Sequence, residues 1–374
     1  MARVLSSSFA RSLLFVIGGS IGAGMFGLPA LFAQTGAFWG SIFYWIIVAI
    51  VLLIHMAYAE LQAKAGSKHD LAGIAQRSLG VWGWRVAVVV YPISVYGATL
   101  VYLLLGAQFL SALSAMVGGP TDRSLWQLLL WVLFAWGAQK GLKGVAALER
   151  PITYVLVAGL VLISVVARFT GASLPAVQLS LSQVPLTLLV GVVFFTTISL
   201  PVIAEVMAFD GRKSVIGRRS ILVGCLFVAT LKWLFGLSFA GASLNGVVEV
   251  VNLVTALPVA LRWVLPTVGF LAISGAAVSV LDSLRIVYRE EFELSPFRSW
   301  LLALLPPLAL LFVSTQSVLP IMSFLGSFVA ATNALLVCLA ALAERTRLLA
   351  RLPRVMLYVA AGLCLFTIAH TFIL

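Results

Sequence analysis

Charge is what this chain has least of. Its 374 residues include only 12 acidic and 24 basic side chains, together 10% of the sequence, where a soluble domain carries about 25%. With 62% of its residues apolar, the chain has too little polar surface to cover itself, so water cannot be its only solvent. That shortage excludes a soluble enzyme, a nucleic-acid binder and a disordered protein. Cysteine is scarce as well: Cys225, Cys338 and Cys364 all fall inside apolar runs, spaced for neither a metal site nor a disulfide framework. Metal-ligand spacings, a phosphate loop and a nucleophile elbow are all missing, so neither an enzyme nor a bound cofactor or metal is expected. The lack of any Asn-x-Ser/Thr acceptor, with very short outer loops, fits a prokaryotic chain.

What is there is apolar runs of membrane length. At about 20 residues per transmembrane helix, runs between charged or turn-rich breaks predict eleven spans, all α-helical. Their approximate limits are 11–33, 38–62, 84–116, 124–140, 149–168, 184–206, 216–241, 264–286, 299–313, 318–342 and 354–373, numbered spans 1 to 11. Short linkers such as Gln34–Trp39 and Ser314–Ser317 make neighbouring spans antiparallel. Arg3 and Arg11 precede an apolar stretch as in a signal peptide, but the stretch is interrupted by five glycines from Gly18 to Gly27 and then Pro29, so no cleavage is expected.

The net charge of +12 resembles a nucleic-acid signature until the charges are placed. With the N-terminus inside, twenty Lys and Arg fall in inner loops: Arg3, Arg11, Lys64, Lys68, Arg77, Arg85, Lys140, Lys143, Arg150, Arg212, Lys213, Arg218, Arg219, Arg285, Arg289, Arg298, Arg345, Arg347, Arg351 and Arg354. Only Arg123, Arg168 and Arg262 fall outside, and Lys232 is left within span 7. This positive-inside bias holds loop by loop. It predicts a multi-pass protein of the cell (inner or plasma) membrane, with a cytoplasmic N-terminus and a C-terminus, near His370, outside.

Two spans are interrupted. Span 1 carries Gly18-Gly19-Ser20-Ile21-Gly22-Ala23-Gly24-Met25-Phe26-Gly27-Leu28-Pro29, and span 6 carries Phe194-Phe195-Thr196-Thr197-Ile198-Ser199-Leu200-Pro201. In hydrocarbon such breaks persist only where they are buried in protein or line a cavity. Spans 1 and 6 are the first members of two five-span halves, about 11–168 and 184–342, that enter from opposite sides; span 11 is extra. Matching broken helices in inverted halves point to a transporter's midplane binding site.

These residues resemble a known family. Gly18–Pro29 resembles the span 1 signature of the amino acid–polyamine–organocation (APC) superfamily, especially the G-x-x-I-G-A-G-x-x-G-L-P form of hydroxy/aromatic amino acid permeases. Tyr58-Ala59-Glu60, Lys68-His69-Asp70-Leu71 and Leu79-Gly80 are similar to that family's span 2 exit and following loop. Ser283-Leu284-Arg285-Ile286-Val287-Tyr288 is similar to the superfamily's S-R-x-x-Y. The resemblance covers the whole chain in span order. It implies the leucine-transporter fold, a 5+5 inverted repeat plus an eleventh span, and amino-acid transport by alternating access. Phe194–Pro201 matches the family's span 6 only loosely, and Lys232 is a departure from it.

The expected substrate is an amino acid, aromatic or hydroxy, carried inward by a cation gradient; the other partner is the lipid bilayer. A polyamine or organic cation on the same fold is the alternative, as is a non-transporting membrane sensor, which would call for a large soluble appendage. The carboxylate is expected on backbone N–H groups of Gly22, Ala23 and Gly24, beside Ile21, where a restarted half-helix presents its positive end. The ammonium is expected on carbonyls of the span 6 break with Ser20 or Thr196, near Thr197 and Ser199. An aromatic subsite is drawn from Phe195, Tyr96 and Phe26, with Tyr91 and Tyr102 also on span 3.

Lys232 reads two ways: an ion-coupling group, or a lysine held by carbonyls of a broken helix or facing a wet cavity. Ser274, Ser279 and Asp282 on span 8 are further ion-coupling candidates, although Asp282 is spaced to pair with Arg285. Span 8 lacks an adjacent hydroxyl pair for sodium, so protons are the expected coupling ion. His55 reads as a packed polar residue, and Glu205 as a partner of the basic loop Arg212–Arg219.

Overall fold

The computed structural model describes residues 2–64, 71–140, 143–170, 185–209, 215–243, 249–314, 317–344 and 354–372. Lys68, His69, Asp70, Arg212, Lys213, Arg345, Arg347 and Arg351 lie outside the described residues. Those described form an all-helical bundle without strands. Among the described residues, nine helices are long and apolar enough to cross a bilayer, and a bent pair, Ser8–Ile21 with Ala23–Thr35, makes ten. The predicted span 4 is an 18-residue helix, Arg123–Lys140, at its expected place but not among those ten.

Span 1 runs as Ala2–Ile21, turns at Gly22, and continues as a 3₁₀ turn, Ala23–Gly27, and a helix, Leu28–Thr35. Span 2 is Ala37–Lys64. The stretch read as a loop before span 3 is helical instead: one helix runs Leu71–Met116, kinked at Gly80 where φ is 73°. Span 5 is Lys143–Phe169. Span 6 is two helices, Leu186–Thr197 and Leu200–Phe209, and span 7 is Val215–Phe239. Spans 8 and 9 are Val264–Glu291 and Pro296–Val313. Span 10, Val318–Ala343, contains a π-helical turn, Leu325–Ala330, and span 11 is Arg354–Thr371.

Burial sorts the spans into a centre and a rim. In their most apolar stretches, spans 3 and 10 are 67% and 72% buried, whereas spans 9 and 11 are each 28% buried. Rim helices turn bulky apolar side chains such as Trp136, Phe312 and Phe366 outward. In water that would be an aggregating surface, and in lipid it is the expected one. Span 1 packs along span 7, with its first half also against spans 5 and 6, so the interrupted helices are enclosed by others.

At one end of the bundle polar groups join the helix termini. Arg77 donates through Nε and Nη2 to Glu344 Oε1 at 2.9 and 2.6 Å, and Lys64 Nζ donates to Glu344 O at 3.0 Å. Trp84 Nε1 donates to Glu291 Oε2 at 2.7 Å. The ends of spans 2, 8 and 10 and the start of span 3 therefore meet at this basic end.

Candidate functional site

At Gly22 the backbone takes φ 54° and ψ 179°, outside the range of an L side chain, and the first half of span 1 stops there. Pro29, in the first turn of Leu28–Thr35, gives up an N–H that the helix start would leave unpaired anyway. In span 6 the interruption is an extended Ile198 (φ −75°, ψ 126°) followed by Ser199. The two breaks touch: Thr196 Oγ1 donates to Gly24 O at 3.0 Å.

Two side chains from neighbouring spans complete the backbone bonding that the bilayer cannot supply. Lys232, buried on span 7, donates from Nζ to Ser20 O at 2.7 Å and to Thr196 O. His55, buried on span 2, accepts at Nε2 the N–H of Ser199 at 3.1 Å. An accepting Nε2 places the ring's proton on Nδ1. Replacing His55 with alanine is expected to orphan the Ser199 N–H and cost about 1–3 kcal/mol, read as a lower Tm in detergent. His55→Gln, which keeps an acceptor, should recover most of that loss.

A cavity of about 350 Å³ opens beside the two breaks. Its walls at this depth are Gly19–Gly24, residues 195–196 and 198–201, and the tyrosines Tyr58, Tyr91 and Tyr102. Leu325, Ala330 and Asn333 add a wall from span 10. Toward the basic end it is lined by Leu71, Ala87, Glu205, Ile286 and Glu290. On its other side Phe26 packs edge-on against Phe109 and Phe235, at ring separations of 4.8 and 5.5 Å.

Of the residues singled out in the sequence, Ser20, Ile21, Gly22, Ala23, Gly24, Phe195, Thr196 and Ser199 come together at the cavity wall. Others lie elsewhere. Phe26 is buried in the phenylalanine block, and Thr197 Oγ1 donates back to Val193 O at 2.6 Å. Tyr96 bonds the hydroxyl of Tyr288 and, at 3.0 Å, Leu302 O. Residues 91, 94, 98 and 102 share the cavity face of span 3; position 96, two residues from both 94 and 98, projects from the other side of the helix.

Span 8 presents none of its three candidates to the cavity. Ser274 Oγ donates to Phe270 O at 2.8 Å, and Ser279 O takes the hydroxyl of Ser283 at 2.9 Å. Asp282 pairs with Arg285 at 3.2 Å, and Arg285 also reaches Ala138 O. Lys232 stands behind the breaks, outside the cavity lining. Sequence reasoning missed Ser94 and Asn333, single polar positions in apolar helices that no periodicity marks out, and had Tyr58 only as part of the span 2 exit motif.

A membrane bundle with two interrupted central helices around one cavity is the architecture of a secondary transporter. Two solved structures are similar to it across nearly the whole chain. One is MhsT, crystallised in complex with L-phenylalanine: TM-score 0.67, 15% identity, covering 95% of this chain and 97% of that one. The other is Mhp1 in its inward-facing conformation: TM-score 0.64, 16% identity, covering 97% and 89%. The fold is thus that of the leucine transporter. No curated protein matches the chain by sequence. The profile of the tryptophan/tyrosine permease family matches residues 5–373, and the chain belongs to that family. It is an integral membrane protein, an amino-acid permease rather than an enzyme.

Proposed function

We propose that this permease carries an aromatic amino acid of the tryptophan or tyrosine kind into the cell, in symport with protons. The observation that carries the reading is the cavity itself. The two broken segments form part of its wall, and Tyr58, Tyr91, Tyr102 and Phe195 line it. The volume of about 350 Å³ is within the range of small-molecule pockets. The N–H groups of Ala23 and Gly24 begin a half-helix and suit the carboxylate. Carbonyls of the span 6 break and the Ser20 hydroxyl suit the ammonium, and each ring contact adds about 0.5–1.5 kcal/mol beyond burial. Family membership supports the aromatic side chain.

Proton coupling is supported by donor geometry. Ser274 is bonded within its own helix, and neither it nor Ser279 lines the cavity, so span 8 offers sodium no hydroxyl pair there. Lys232 is the titratable group between the breaks, with His55 on span 2 and Cys225 on its own helix as its titratable neighbours. The positive-inside pattern orients the basic end, and the N-terminus, to the cytoplasm of the inner or plasma membrane, so the cavity faces inward.

The test is uptake of labelled L-tryptophan into proteoliposomes. An inward proton gradient in sodium-free buffer should drive accumulation, and Trp, Tyr and Phe should compete better than Ala, Ser and Gly. The reverse order of competitors overturns the aromatic reading. Sodium-driven uptake indifferent to pH overturns proton symport.

A further inference from the structure

Four half-helices meet at the breaks, and two of them end there. The first half of span 1 closes at Ile21 and the first half of span 6 at Thr197. A helix C-terminus carries unpaired carbonyls and the equivalent of about half a negative charge. Two such ends side by side, in a bilayer, call for a cation between them. In transporters with discontinuous helices, unwound carbonyls and half-helix C-terminal ends are where a sodium ion or proton is held.

Here the chain supplies its own. Lys232 Nζ donates to Ser20 O, one residue before the end of the first half-helix, at 2.7 Å, and to Thr196 O, one residue before the end of the other. The residue is 2% exposed, and its stem rises from span 7, which packs along both halves of span 1. The adjoining contact of Thr196 Oγ1 with Gly24 O ties the same two breaks together. The titratable groups nearest the ammonium are His55, engaged with the Ser199 N–H, and Cys225.

We infer that Lys232 is a tethered cation: its ammonium replaces a free metal ion at the paired C-terminal ends and holds both breaks in their substrate-binding geometry without sodium. This rests on reading the breaks as the substrate site and adds what organises them.

The experiment uses the purified full-length transporter in choline, sodium and methylammonium chloride, with thermal melting and labelled L-tryptophan binding as readouts. Wild type should melt and bind alike in choline and sodium. Lys232→Ala should bind about tenfold or more weakly in choline, the scale of losing a charge-assisted hydrogen bond. Sodium or methylammonium should restore binding to that variant and raise its Tm, as a ligand of the folded state does. Lys232→Gln, which keeps N–H donors but no charge, should stay weak in choline. Any of three results overturns the inference: a wild type whose Tm or affinity rises in sodium over choline, either variant binding like wild type in choline, or a Lys232→Ala that neither cation restores. Should Lys232→Ala not fold, Lys232→Gln and the wild-type salt comparison decide. A wild type that binds no L-tryptophan in any salt sinks the aromatic reading instead, while the melting comparison still judges Lys232.

Discussion

Gly24→Val is expected to abolish uptake while the protein still inserts and purifies as a folded species. A Cβ at Gly24 would lie 2.8 Å from the Cα of Thr196 and 3.0 Å from its Oγ1. The first of these is main chain, which cannot swing aside as a long side chain would. Even alanine must push the two breaks apart, and valine adds two methyls where the substrate approaches the backbone. The same displacement would cost the Thr196 Oγ1 bond to Gly24 O and shift the Thr196 carbonyl from Lys232. Loss of about 3 kcal/mol from these coupled contacts is a rate effect of more than about 100-fold. Gly22→Ala makes the contrast. A Cβ there meets nothing within 4 Å, so the penalty is the backbone strain of φ 54°, ψ 179° alone, about 1–3 kcal/mol, and uptake should fall by roughly tenfold to a hundredfold rather than vanish. Initial rates and affinities in proteoliposomes, normalised to inserted protein, check both. Wild-type transport by Gly24→Val would remove the span 1 break from the substrate site.

The breaks were legible in the sequence because glycine and proline act on the backbone directly, and because two such places stood at the heads of two five-span halves. What fills the breaks was not. His55 and Lys232 stand 144 and 36 residues from the groups they bond on span 6, and nothing in the spacing of one helix says which neighbour's backbone its side chain will meet. Lys232 could be read as an ion-coupling group or as a partner of broken-helix carbonyls, and only the fold says which carbonyls its ammonium meets. Tyr96 shows the opposite limit. A tyrosine in span 3 was the right kind of residue, but helix phase, fixed only by packing, turned 91 and 102 to the cavity and 96 to Tyr288. The stretch before residue 84, Leu79-Gly80 included, reads as a loop in the sequence because a single glycine does not say whether the residues before it are helical.

The π-helical turn in span 10 left no mark at all in the sequence, and it supplies the last large prediction. Within Leu325–Ala330 the helix passes the first half of span 6 with main chain against main chain. A Cβ built on Gly326 would run into the carbonyl oxygen of Gly191 and come within 2.9 Å of the backbone nitrogen of Phe195. From the other side, a Cβ on Gly191 would overlap the carbonyl oxygen of Ser323. These two glycines therefore set the distance between span 10 and span 6, and Leu325 and Phe195, which flank the contact, both line the cavity. Wide turns of this kind sit frequently at functional sites. Gly326→Ala is expected to destabilise the protein by about 3 kcal/mol or more, the upper end of overpacking costs, because no rotamer change relieves it. Phe195 should shift with the span, so substrate affinity should fall along with Tm. The control is Gly362→Ala in span 11, where a Cβ meets nothing within 4 Å. Inside a helix that change removes a glycine's excess chain entropy and should be neutral or stabilising by up to about 1 kcal/mol. Melting of the two variants in the same detergent separates the cases. Equal melting temperatures would mean that span 10 yields to the added methyl, and that the close approach does not set the width of the cavity.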